Sequence, residues 1–268
     1  MNNKIIYQVD SFTTTIFKGN PAGVVLLENA ISEEKMQSVA AEMNLSETAF
    51  VTAENDYYNI RFFTPTNEID LCGHATLASA HILYETGIVS KEKSIEFKAN
   101  KDKLKVTFSE DWITMEFPVF KIEKTNTPVQ LSKAIGNAKI LECYQGNGDW
   151  YLAYIDSKNN LADLEINFEL LKAEVPSLLV ITTEDADGEF DFLYRCFAPN
   201  QGIDEDPVTG SAQCLLTSFW KEKLNQTTFI SQQVSERTGI LKTKYENGKV
   251  KISGQAITVF KAELANSL

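Results

Sequence analysis

The chain has 268 residues, with 25 Lys and Arg against 37 Asp and Glu, so its formal charge is −12. That balance excludes a surface built to neutralise nucleic-acid phosphates, and no nucleic-acid partner is expected. The 43% apolar and 23% charged residues exclude a disordered chain, and at roughly 100–200 residues per domain the length fits one large domain or two.

The first residues, Met1 to Tyr7, are polar and run directly into alternation, without the apolar stretch of an export signal. The most lipid-like segment, Ala75 to Tyr84, is too short to span a bilayer and carries Ser79 and His81, so no membrane partner is expected. Cys72, Cys143, Cys196 and Cys214 form no C-x-x-C pair. They read as four reduced thiols of a cytoplasmic protein.

Alternation predicts strands at Lys4–Val9, Ala22–Leu27, Ala49–Thr52 and Asn59–Phe63. Between the second and third lies a helix. Ser32 can cap it, Glu33 and Glu34 occupy its first turn, Ile31 can staple to Met36, and Met36, Val39, Ala40 and Met43 form its apolar face. A second helix follows Gly73. Ala75, Leu77, Ala78, Ala80, Ile82 and Leu83 make it apolar almost all round, the pattern of a helix wrapped by other structure. Strands follow near Ser94–Lys98, Leu104–Phe108 and Ile113–Phe117, and the polar stretch Pro118 to Pro128 reads as a connection. Beyond it come strands at Ala138–Tyr144 and Tyr151–Ile155, a helical stretch Asn167–Lys172, strands at Leu178–Thr182 and Asp191–Phe197, and a helix from near Asp206 to Trp220. Ile240–Tyr245 and Lys249–Ser253 flank Asn247-Gly248, a type I′ hairpin signal.

The second half repeats the first. Arg61-Phe62-Phe63-Thr64-Pro65 matches Arg195-Cys196-Phe197-Ala198-Pro199, and Ile69-Asp70 matches Ile203-Asp204. After three extra residues in the second copy, Gly73-His74-Ala75 matches Gly210-Ser211-Ala212. We read an internal duplication into two similar α+β halves, with a small-molecule site expected in the cleft between them.

Each duplicated glycine opens an apolar helix, and a helix N-terminus offers unpaired N–H groups to a carboxylate or developing oxyanion. Asp206-Pro207 resembles an N-cap followed by proline at the first helical position. His74, beside the positive helix end, is expected neutral. His81 reads as a helix residue with a local partner. Glu47, ahead of Thr48-Ala49-Phe50, is expected partly buried, and burial makes a carboxyl hold its proton longer. Arg61 and Arg195 are expected to pair with acids on their own sheets, and Asp70 and Asp204 to form turns. There is no P-loop, no G-x-G-x-x-G after a strand, and no His or Cys cluster with metal-ligand spacing.

Five motifs carry a resemblance along essentially the whole chain. They are Asp10-Ser11-Phe12 with Phe17 to Val24, Asn44 to Phe50, Arg61 to Pro65, Glu68 to Ala78, and Asp204 to Ala212. Together they are similar to the PhzF-like (phenazine biosynthesis) isomerase family, which shares the diaminopimelate epimerase fold. The resemblance implies an α+β protein of two pseudo-symmetric halves, 1–120 and 128–268, each a barrel-like sheet wrapped around a central helix. The last strand has the option of crossing back to the N-terminal half. It implies Glu47 as general acid/base, with His74, Asp206 and Ser211 around the substrate and Gly73 and Gly210 as the helix-start glycines. Asn20 is a further candidate substrate contact. No cofactor or metal is expected; the partners implied are a small carboxylate substrate and a second copy in a homodimer. Related racemases use two facing cysteines where this chain has His74 and Ser211, and a serine hydroxyl is too weak to replace a thiol in carbon deprotonation. Cys72 and Cys214 are read as core thiols. Two alternatives stay open: a serine-type hydrolase using Ser211, His74 and Asp206, or a non-catalytic small-molecule-binding homologue.

Overall fold

The computed structural model describes residues 5–157, 160–266 and 268. The chain forms two compact units, Met1–Glu116 with Ser253–Leu268, and Phe117–Ile252.

The first unit contains β1 (Ile5–Ser11), β2 (Asn20–Leu27), α1 (Glu33–Met43), β3 (Glu47–Ala53), β4 (Tyr58–Phe63), β5 (Glu68–Ile69), α2 (Gly73–Glu85), β6 (Ile95–Lys98), β7 (Lys103–Ser109) and most of β8 (Trp112–Pro118). The second holds β9 (Ile122–Lys124), α3 (Leu131–Ala134), β10 (Ile140–Gly146), β11 (Trp150–Ile155), α4 (Phe168–Glu174), β12 (Leu178–Thr183), β13 (Phe192–Phe197), α5 (Gln213–Leu224), β14 (Thr228–Gln233), β15 (Gly239–Glu246) and most of β16 (Lys249–Gly254). The last strand, β17 (Ala256–Glu263), belongs to the first unit and pairs antiparallel with β1. Lys4, expected to open the first strand, lies outside the described residues.

The ladders repeat as the sequence does. β1 pairs antiparallel with β2, β2 parallel with β3, β3 antiparallel with β4, β4 parallel with β6, and β6 antiparallel with β7. β10, β11, β12, β13, β14 and β15 follow the same order of senses. Each parallel pair needs a crossover, and helices supply it: α1 and α4 at the first, α2 and α5 at the second.

The local chemistry explains the helices. Ser32 accepts from Lys35 N at 3.4 Å, Glu33 and Glu34 sit in the first turn, and Asn44 closes α1 in the left-handed region at φ 50°. Met36, Val39 and Ala40 then pack on Ile6, Val25, Leu27, Phe50 and Phe63. α2 is buried from His74 through Ala80, and it tolerates Thr76 and Ser79 there because their hydroxyls donate to Cys72 O and Ala75 O, each at 2.7 Å. In the second unit Trp220 of α5 stacks on Phe192 at 5.0 Å and donates to Thr182 Oγ1 at 3.0 Å.

Three expectations are corrected. The connection Pro118 to Pro128 contains β9, because backbone pairing with β10 needs no apolar side chains. β14 and β17 were not anticipated; β17 is only half-buried or exposed, so it lacks a buried face to read. The helix expected from Asp206 starts at Gln213, because the Asp206 carboxylate is engaged by the Thr209 hydroxyl at 2.5 Å and caps no helix.

Candidate active site

α1 leaves through Asn44 directly into β3, whose first residue is Glu47. The parallel ladder sets Glu47 opposite Ala22, two residues after Asn20, and Asn20 itself lies opposite Ser11. Ser11 Oγ donates to His74 O at 2.9 Å, which ties the start of α2 to the same strand ends. Cys72 is the residue before α2, extended at φ −142°. Three side chains from two elements therefore converge: Glu47, Cys72 and His74.

His74 Nε2 lies 3.1 Å from Glu47 Oε2, with side chains only 9% and 12% exposed. The contact has the distance of an ion pair, and Oε2 is buried. Burial acts to lower the His74 pKa, but the Glu47 charge and hydrogen bonding to Cys72 and Glu47 outweigh it and hold the imidazole well above its ordinary value. Burial likewise acts to raise the Glu47 pKa, and His74 outweighs it, so the carboxyl sits below its ordinary value. Both directions run against expectation: the His74 imidazole is held above its ordinary value rather than depressed by the helix end, and the Glu47 carboxyl sits below its own rather than above. In each case a full charge at 3.1 Å beats burial or the partial charge of a helix end.

Cys72 is not the plain core thiol expected. Its Sγ lies 3.5 Å from His74 Nδ1 and 3.9 Å from Nε2, and burial together with the Glu47 charge raises its pKa, keeping it a thiol. Cys214 does match the core reading, buried and pushed up to about 12 by desolvation. Spacing along the chain missed the Glu47, Cys72, His74 group because Glu47 comes from a different strand. Among the described residues, these three place ligating atoms within 4.8 Å of one another, so they are the side chains that could hold a metal ion.

Asp206, Gly210 and Ser211 belong to the second unit. Asp206 N donates to Cys196 O at 3.0 Å. Gln233, which sequence reasoning missed, clamps the loop: its Nε2 donates to Asp206 O at 2.5 Å and its Oε1 accepts from Thr209 N at 2.7 Å. Ser211 is exposed, ahead of the first turn of α5. His81 has the expected local partners, Thr258 Oγ1 at 3.1 Å and Glu85 at 3.6 Å. Arg61 pairs with Glu68 of β5 and with Glu33 of α1, while Arg195 pairs with Glu205. Asp70 pairs with Lys101.

The phenazine biosynthesis-like (PhzC-PhzF) family model matches residues 9–262. An uncharacterised isomerase of Halalkalibacterium halodurans is 44% identical over 261 residues, covering 97% of both chains. A PhzF-family crystal structure from Enterococcus faecalis superposes with a TM-score of 0.93 at 37% identity, over 99% of this chain and 100% of that one. A probable proline racemase from Agrobacterium radiobacter, 12% identical with a TM-score of 0.60 over 98% and 93% of the two chains, shares the fold alone. With nearly its whole length matched and its ladder order duplicated, the chain belongs to the phenazine biosynthesis-like family and is an isomerase of the diaminopimelate epimerase-like fold.

Proposed function

We propose that this isomerase moves a proton within a small, unsaturated, carboxylate-bearing substrate, with Glu47 as the group that takes the proton and returns it. The observation behind this reading is the buried Glu47–His74 contact at the start of α2. Glu47 rests ionised, so it is ready to accept a proton from a C–H made acidic by an adjacent electron-withdrawing group. The negative charge that develops on the substrate meets His74 and the positive N-terminal end of α2. Protonated Glu47 then delivers the proton to another carbon of the same conjugated system. No electron pair leaves the substrate, so the step itself requires no cofactor. Asn20 and Gly73 are assigned to holding the substrate within reach of the Glu47 carboxylate; Asp206, Gly210 and Ser211 are assigned to substrate contacts on the resemblance alone. The resemblance also supports a homodimer, which light scattering reads directly.

The hydrolase reading fares worse. Both ring nitrogens of His74 already face Cys72 and Glu47, and the Asp206 carboxylate takes the Thr209 hydroxyl. A Ser–His–Asp relay needs those same positions.

The test is solvent-deuterium incorporation into a panel of small unsaturated carboxylic acids, read by NMR. The native protein should label at least one acid at carbon, and Glu47→Gln should abolish the labelling while keeping the thermal shift that acid induces. Labelling by Glu47→Gln at the native rate would remove Glu47 from its role.

A further inference from the structure

We propose that Glu47, Cys72 and His74 form a binding site for Zn2+ or a similar borderline-soft divalent ion, and that its occupation excludes proton transfer. The metal-binding half rests on geometry and donor chemistry alone; the inhibitory half rests on the reading of Glu47 as proton carrier.

The three residues supply one carboxylate oxygen, one sulfur and one imidazole nitrogen, the mixed set that zinc accepts and that magnesium and calcium do not. With bonds of roughly 2.0–2.3 Å at tetrahedral angles, zinc sets its ligand atoms roughly 3.3–3.6 Å apart. The structure has Nε2 3.1 Å from Oε2 and 3.9 Å from Sγ, with all three ligating atoms within 4.8 Å. The two Nε2 distances lie within a few tenths of an ångström of that range, and rotation of the Glu47 and Cys72 side chains sets the remaining oxygen–sulfur separation. Three protein ligands leave the fourth position to water, the arrangement of an open zinc site. Charge fits as well. A carboxylate and a thiolate cancel the two charges of the ion, so the occupied site is neutral, which a nearly buried position tolerates. Binding is balanced by proton release: the Cys72 thiol and the His74 imidazolium each give a proton to the buffer as their bonds to the metal form. The backbone of His74 is already fixed by Ser11, so one ligand is held in place before metal arrives.

A metal bound here takes the same carboxylate oxygen that would otherwise receive a substrate proton. The site is therefore either a zinc site or a proton-transfer site at any moment, and free zinc acts as a reversible brake.

The experiment uses the purified full chain, stripped with chelator and kept reduced. Zn2+ is titrated against a chromogenic chelator, and Co2+ is added separately as a spectroscopic probe. The native chain should bind one equivalent of Zn2+. Its Co2+ form should show tetrahedral visible bands and a near-ultraviolet sulfur-to-cobalt charge-transfer band. Cys72→Ser should abolish that band, and Cys72→Ser and Glu47→Gln should each weaken Zn2+ binding by about tenfold or more. Circular dichroism checks both folds; should Cys72→Ser not fold, Glu47→Gln carries the affinity comparison. No binding by the native chain, unchanged affinity in the variants, or an octahedral cobalt spectrum without the sulfur band would overturn the site. Inhibition of deuterium incorporation by Zn2+ and its relief by chelator are read afterwards; failure there, with binding intact, removes only the inhibitory half.

Discussion

The two units share a ladder but not a chemistry. Phe50 of β3 lies opposite Arg61, and Ile181 of β12 lies opposite Arg195. Counting back three residues on each strand aligns Glu47 with Leu178, and the parallel ladders agree, with Ala22 and Trp150 as their partners. The position that carries a nearly buried acid in the first unit is thus a buried leucine in the second. The helix starts diverge in the same way: Cys72 and His74 in one, Thr209 and Ser211 in the other. Of the two similar scaffolds, one carries an acid and an imidazole at these positions. The other kept hydroxyls and, within its three-residue insertion, Asp206.

The largest expected effect breaks or sharpens that asymmetry directly. Glu47→Gln should cost about 10²–10⁴-fold in turnover, the usual contribution of a positioned acid/base. Ser211→Ala should cost about tenfold or less, as expected for a single neutral hydrogen bond. Turnover is read by deuterium incorporation, and comparable losses in the two variants would end the idea that the units divide the work. A second contrast concerns stability. Arg195 is 10% exposed and donates to Glu205 and to the carbonyls of Leu161 and Leu164. Arg195→Met strands a carboxylate and two carbonyls, and should cost about 3–5 kcal/mol in urea unfolding. Arg61 is 30% exposed and its partners Glu68 and Glu33 are 19% and 69% exposed, so water replaces more of what Arg61→Met removes; about 1–2 kcal/mol is expected.

Much of this was legible beforehand. Similar motifs at matched offsets exposed the duplication, and the all-round apolar pattern of α2 announced a buried helix. The failures have specific causes. Asp206-Pro207 has the composition of a helix start, but a hydroxyl three residues on captures the carboxylate. Glu47 and His74 shift in directions opposite to those expected because each was read against its own surroundings, while the deciding charge comes from the other, 27 residues away in sequence. β9 went unseen because its stability lies in backbone pairing with β10 rather than in buried side chains. Gln233 went unseen because a lone amide carries no motif; its role exists only once β14 lies beside β13.

That amide provides the next contrast. The ladder pairs Tyr194 with Gln233, and the matching place in the first unit is Ala99, just past the end of β6. The first unit has a shorter loop before its helix and no comparable clamp at that position. Gln233→Leu should leave Asp206 O and Thr209 N without their partner and cost about 2 kcal/mol. Substrate-induced thermal shifts should weaken along with it, whereas Ala99→Ser should leave both readouts unchanged. Native stability in Gln233→Leu would mean that the loop holds its shape without the clamp.

The smallest effect concerns acid. Glu142 accepts from the Tyr144 hydroxyl at 2.7 Å, from Lys223 at 2.9 Å and from Lys124 at 3.1 Å, and these partners hold its pKa at about 2, against an ordinary 4.5. The ladders place Ile5 at the corresponding point of β1, so this acid-sensitive contact belongs to the second unit alone. A carboxylate with a depressed folded pKa stabilises the fold fully above its unfolded pKa, and that stabilisation is lost as pH falls through the folded value. The window therefore runs from about 4.5 down to about 2. Because the side chain is 23% exposed, solvent screens the contacts, and the gain at neutral pH should be no more than about 1 kcal/mol. Other carboxyls titrate in the same range, so the informative quantity is the difference between native protein and Glu142→Gln in urea unfolding at each pH. That difference should be largest near neutrality and shrink to nothing at the acid end of the window. A difference constant across the window would mean that the amide keeps what the carboxylate supplies, and that hydrogen bonding rather than charge holds Tyr144, Lys223 and Lys124 together.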